Sequence, residues 1–113
     1  MTSLTELCNV LDDLEIPWVN TAWREDSENK SEPPYIVLMA RPSGGRSSGA
    51  ADGTWLSTME YDIELYCHER NYDLERDVED ALDAIRLYWV KDYYFIESES
   101  LAETVFTVTV RED

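Results

Sequence analysis

Basic residues are scarce. The chain has 113 residues, with nine Lys and Arg against 25 Asp and Glu, a formal net charge of −16 at pH 7. A sequence-independent DNA binder neutralises phosphates with cations, so broad wrapping of nucleic acid is excluded, and anionic membrane surfaces are disfavoured for the same reason. Two cysteines, Cys8 and Cys67, do not make a disulfide framework and read as buried thiols in a reducing compartment. No apolar run approaches a membrane span. The start, MTSLTELCNVLDD, has neither the basic nor the apolar region of a signal peptide, so synthesis in the cytoplasm is expected. Glycine is rare: the four present all fall within residues 41–54.

What is there argues for a folded domain. Hydrophobic residues make up 43% of the chain, and four Trp, seven Tyr and two Phe supply much burial area per residue. The length suits one domain spanning 1–113. The spacing of Leu4, Leu7, Cys8, Leu11 and Leu14 predicts a helix over 2–14. Thr2 or Ser3 caps it, with Glu6 placed for a capping box, and Pro17 prevents a long continuation. Residues 16–23 read as a short strand restricted to an edge or strand start by Pro17. Residues 24–34 are polar and end in Pro-Pro, which reads as a loop. YIVLMA, 35–40, fits a strand buried on both faces or pressed into an interface. Residues 42–54 read as a long flexible loop.

A strand from about residue 55 to Cys67 follows and closes a long-looped hairpin with residues 35–41. Within it, MEYDIELYC alternates strictly: Met59, Tyr61, Ile63, Leu65 and Cys67 are assigned to the core, and Glu60, Asp62 and Glu64 to the opposite face. Residues 72–86 form the clearest helix, with an apolar stripe of Leu74, Val78, Ala81, Leu82 and Ile85. Glu75, Glu79, Asp80 and Asp83 are expected on its solvent face, and Asn71 or Asp73 at its cap. Strands are predicted over 87–96 and 101–110, with ESES turning between them. The second strand places Phe106, Val108 and Val110 on one face and Thr107 and Thr109 on the other. No internal repeat is read. The order is α-β-β-(long loop)-β-α-β-β, an α+β fold in which a mostly antiparallel sheet carries two helices on one face.

Motifs for chemistry are missing. There is no GxGxxG, Walker loop, GxSxG or HExxH, and PSGGRSSG lacks the Lys-Ser/Thr ending of a phosphate loop. His68, the only histidine, falls on the opposite face from Cys67, so the two do not converge on one ion. Same-face acids along a strand stand roughly 6–7 Å apart, from a rise of about 3.3 Å per residue. That is wide for joint ligation by Glu60, Asp62 and Glu64, which read as a solvated face. The four tryptophans are scattered and read as core or interface groups, with Trp55 partly exposed. Enzymatic activity, a cofactor and a metal site are not expected.

An ordered set of segments carries a resemblance: Pro33-Pro34-Tyr35-Ile36-Val37, Ala51-Asp52-Gly53, Glu64-Leu65-Tyr66, Asp73-Leu74-Glu75, then Phe95-Ile96-Glu97-Ser98-Glu99 and Leu101. Residues 33–110 resemble the tail-terminator (tail-completion, minor tail) proteins of long-tailed bacteriophages and prophages. Asp52-Gly53 stands where that family usually has Asp-Asn, and the glycine loop is longer. The resemblance implies a structural subunit that forms a ring, usually a hexamer, at the head-proximal end of the virion tail. Such a ring stops tube polymerisation and offers a surface to the head. The implied partners are copies of the chain, the tail tube protein and a head–tail connector or stopper protein. DNA only passes through without adhering. Some rings form only on the tube, so a monomer in solution is compatible.

Within this reading the 42–54 loop, with Arg41, Arg46, Asp52 and Trp55, is the expected assembly contact. Glu60, Asp62 and Glu64 are the expected acidic face toward lumen or solvent. Two other readings are an acidic DNA mimic that inhibits a host DNA-binding protein through steered charge, and another connector or adaptor component of the head–tail joint.

Overall fold

The computed structural model describes residues 2–20, 32–41 and 58–111. Helix α1 covers Leu4–Asp13 and strand β1 covers Trp18–Asn20. Strand β2 is Tyr35–Ala40, β3 is Thr58–Cys67, helix α2 is Tyr72–Ala84, β4 is Trp89–Ile96 and β5 is Leu101–Arg111. A short 3-10 turn, Glu97–Glu99, joins the last two strands. The five strands form one sheet in the order β1-β2-β3-β5-β4. Among these strands the β1–β2 pair is parallel and the other neighbours are antiparallel. The α+β class and element order agree with the sequence reading.

Alternation decides the two faces of the sheet. Ile36 and Leu38 of β2, Ile63, Leu65 and Cys67 of β3, and Phe106, Val108 and Val110 of β5 form one buried cluster with Leu7, Leu11, Val78 and Leu82 of the helices. Both helices therefore lie on the same face. Phe106 sits directly opposite Ile63 in the β3–β5 ladder and is fully buried. On the other face of β2, Tyr35, Val37 and Met39 are only half-buried. Of the two readings of YIVLMA, burial on both faces within the chain is corrected: one face packs into the core, and the half-buried apolar groups of the other leave the interface reading open.

Local signals account for the helix boundaries. Ser3 accepts a hydrogen bond from the Glu6 amide at 3.1 Å while its own amide donates to Glu6 Oε1 at 3.0 Å, the predicted reciprocal cap. Asn71, not Asp73, caps α2 by accepting from the Leu74 amide. At the far end α2 stops at Ala84 rather than running to Arg86. Arg86 adopts the left-handed conformation with φ 58°, and its amide donates to Asp83 O while the Leu87 amide donates to Leu82 O. That pair of bonds is a Schellman closure. Glu15, after α1, takes the same conformation with φ 61°.

The likeness of the two helix ends corrects another expectation. Residues 12–18, DDLEIPW, and residues 83–89, DAIRLYW, align position by position. Asp12 and Asp83 each accept from the indole N–H of the tryptophan six residues later, at 2.8 and 2.9 Å. Ile16 and Leu87 are both buried, and Leu14 and Ile85 both pack against the core. The chain thus repeats a helix–corner–strand unit, one at each edge of the sheet. Seven residues with two identities are too few for the repeat to stand out by reading for long-period similarity.

Candidate functional site

Edge strand β4 gathers most of the unusual chemistry. The sheet order leaves one side of β4 without a strand partner among the described residues. Five large apolar or aromatic side chains stand exposed among those residues, and four of them lie at this edge: Tyr88 (82%), Val90 (48%), Tyr94 (53%) and Phe95 (54%). Alternation places Phe95 on the helix-bearing face with Trp89, Lys91 and Tyr93, and places Val90 and Tyr94 on the open face. Both faces of the edge are therefore partly apolar at the surface. Proteins usually blunt a sheet edge with short strands, prolines or charges. β4 has eight residues, no proline, and only Lys91 and Asp92 as charges.

The fifth exposed group, Tyr72, joins this patch through a stack. The Arg70 guanidinium lies 4.6 Å from the Tyr72 ring centroid and 4.0 Å from that of Tyr93, cation–π distances on both sides. Arg70 Nε and Nη2 donate to the two oxygens of Glu75 at 3.0 and 3.3 Å. Glu75 Oε1 also receives Lys91 Nζ at 3.3 Å, and Oε2 receives the Thr104 hydroxyl at 2.9 Å. Lys91 reaches Glu79 at 2.6 Å as well. Glu75 is only 1% exposed, which corrects its expected place on the solvent face of α2.

Periodicity held the missing signal. Glu75, Val78 and Leu82 share the inward stripe at i, i+3, i+7, so an acid there has to bring partners. Burial pushes the Glu75 carboxyl up, but the hydrogen bonds from Arg70, Thr104 and Lys91 outweigh it and hold the carboxyl below its ordinary value. Its hydrogen bond to Glu75 raises Arg70, and its hydrogen bond to Glu79 raises Lys91. The cluster ties α2 to β4 and β5, and its charges are spent on one another.

The row on β3 differs from expectation in two respects. Glu60, Asp62 and Glu64 do lie on the face away from the helices, but Glu64 is buried at 8% exposure. The correction has a visible cause. Tyr66 packs beside it and contacts both Glu64 Oε1, at 3.0 Å, and Glu103 Oε2, at 3.1 Å, while the Tyr35 ring stacks on Tyr66 at 5.1 Å. Burial first, then the two carboxylates, push the Tyr66 hydroxyl far above its ordinary range. The row also has a cation beside it. Arg41 lies 3.6 Å from Glu60 and 3.8 Å from Asp62, and Thr107 donates to Asp62 at 2.8 Å.

Arg41, expected in the assembly loop, thus caps the end of the acidic row. Arg46, Asp52 and Trp55, with the whole 42–54 loop, lie outside the described residues, as do residues 21–23 of the strand expected at 16–23, whose described part forms β1 at Trp18–Asn20. His68 is exposed and Cys67 buried, and both border the cleft at the start of α2. Burial raises both thiols, Cys8 and Cys67, and so disfavours their reactive form. Among the described residues no three His, Cys, Asp or Glu side chains are grouped to hold a metal ion. An open cleft of about 570 Å³ at the start of α2 is lined by Pro33, Pro34, His68, Arg70 and Tyr72, among others. Its guanidinium is already bound to Glu75. No helix among the described residues is long and apolar enough to cross a membrane.

Neither protein-family models nor curated proteins yield a match to this chain.

Proposed function

We propose that the chain is a structural assembly protein of the tail-terminator kind. Copies form a ring on the head-proximal end of a phage tail tube, stop its growth and offer a surface to the head connector. The observation that carries this reading is β4: a long edge strand with Tyr88, Val90, Tyr94 and Phe95 exposed around it. Such an edge favours association through backbone pairing and apolar burial. The ordered segments within residues 33–110 supply the particular kind of assembly, and the ring and its copy number rest on that resemblance. Charged groups that have neutralised one another around Glu75 suit a scaffold better than turnover. The half-neutralised row of Glu60, Asp62 and buried Glu64 is poorer material for a DNA mimic, which needs its carboxylates free to steer. In a ring, the partly exposed Glu60 and Asp62 would repel passing DNA.

The experiment is tail assembly with Tyr94→Glu/Phe95→Glu. Folded variant protein is expected to leave tube growth unchecked, giving over-long tails that do not join heads. Tails of normal length that join heads would overturn the reading.

A further inference from the structure

We infer that the outer edge of β4 takes an extended strand from a different protein, one in which apolar residues alternate with arginine or lysine. The inference rests on the proposed role of β4 as a joining edge and adds which chain joins it. A backbone ladder needs only an extended partner; the side chains decide which. On the helix-bearing face an added strand runs beside Tyr93 and Phe95, with Lys91 already taken by Glu75 and Glu79. That face offers apolar contact. On the open face it runs beside Val90, Asp92 and Tyr94. Tyr94 sits opposite Glu103 in the β4–β5 ladder, and Glu97 and Glu99 stand exposed in the turn that follows β4. A cation there meets Asp92 and can lie over the Tyr94 ring. The period of two in the partner's pattern follows from the two unlike faces of this edge.

Charge also argues against a second copy as the occupant. Another chain brings a net charge of −16 and a β4 of its own flanked by the same acids. Like charges placed together are how interfaces reject wrong partners. Copies joined in a ring would then meet through other surfaces, leaving β4 for the tube or connector protein.

The probe is an eight-residue capped peptide alternating valine and arginine, matched to the length of β4, with a valine–glutamate peptide as control. Hydrogen exchange is followed along residues 89–96. The arginine peptide is expected to slow alternate β4 amides by about tenfold or more, where loose electrostatic adhesion would protect no such alternate set. Its affinity should fall as salt rises, and the exposed-site change Asp92→Lys should weaken it by roughly tenfold. Equal protection by the glutamate peptide would overturn the charge rule. Absence of protection with either peptide would overturn β4 as an acceptor. Protection of β4 in the protein alone, growing with its concentration, would show a second copy in this place and overturn the inference while leaving the assembly reading intact. Tail length, measured separately, tests that reading.

Discussion

The two edges of the sheet begin from the same corner and end differently. After α1, Asp12 holds Trp18 and the chain enters a three-residue strand paired to β2. After α2, Asp83 holds Trp89 and the chain enters an eight-residue strand paired to β5. Aligning the corners also aligns the helices: Leu7 with Val78, Leu11 with Leu82, and Leu4 with Glu75. The first two pairs are fully buried apolar residues. In the third, Leu4 packs against the core, whereas Glu75 gathers Arg70, Lys91 and Thr104. One substitution class in a repeated position separates a corner held by packing from one held by polar contacts. The polar version also fixes Lys91 and Tyr93 on β4, the edge with the exposed aromatics.

If the corners are equivalent in packing, matched truncations should cost alike. Leu11→Ala and Leu82→Ala are each expected to lose about 3–4 kcal/mol in urea unfolding, the sum of lost transfer energy and residual cavity. A difference of more than about 2 kcal/mol between them, beyond the usual spread at fixed chemistry, would break the equivalence.

The next test makes the corners unlike in the other direction. Glu75→Ala should cost about 3 kcal/mol, because it strands Arg70 and Lys91, although both are part-exposed and can regain some water. Replacing the set together, with Glu75→Leu, Arg70→Met, Lys91→Met and Thr104→Val, should fall within about 1 kcal/mol of the parent, since a buried ion network is often no better than apolar packing of similar volume. Equal losses for the single and the combined variant would show that the network itself stabilises the fold.

This cluster also shows where sequence reading stopped. Caps, periodicity and alternation are local, so the helix starts, the faces of β3 and β5 and the α+β class could be read from neighbours along the chain. The partners of Glu75 come from the α2 approach, β4 and β5, and only the sheet order brings them together. An acid in an inward stripe announces that partners exist without naming them. Glu64 is the same lesson on β3: alternation assigned its face, but its burial depends on Tyr66 of the same strand and Tyr35 across the sheet. The bareness of the β4 edge was half-legible, because WVKDYYFI lacks the strict alternation of a strand with one solvated face.

The titration of Glu75 sharpens the contrast with Leu4, which has nothing to titrate. Its folded carboxyl lies below the ordinary value of 4.5, so the unfolded chain takes up the proton first as pH falls. Its contribution to stability is complete well above pH 4.5 and is lost as pH drops through and below that value. Glu75→Gln should flatten the acid side of the stability profile relative to the parent, with the gap between the two proteins narrowing toward low pH. A gap that is constant down to pH 3 would mean that Glu75 protonates alike in both states.

The smallest effect concerns the corner itself. Trp18→Phe and Trp89→Phe each remove an indole donor from a carboxylate while keeping an aromatic ring. Both bonds are solvent-exposed, so each loss should be about 0.5–1 kcal/mol. The two should separate slightly. Trp89 also makes an edge-on contact with Phe106 at 5.6 Å, an arrangement worth about 0.5–1.5 kcal/mol beyond area, and a phenyl ring cannot reach both Asp83 and Phe106. Trp89→Phe is therefore expected to be the costlier change. Asp83→Asn should recover part of the comparison, because an amide oxygen still accepts the indole proton without the charge. A loss at Trp18 that exceeds the loss at Trp89 would mean that the parallel β1–β2 edge depends on its corner more than the exposed β4 edge does.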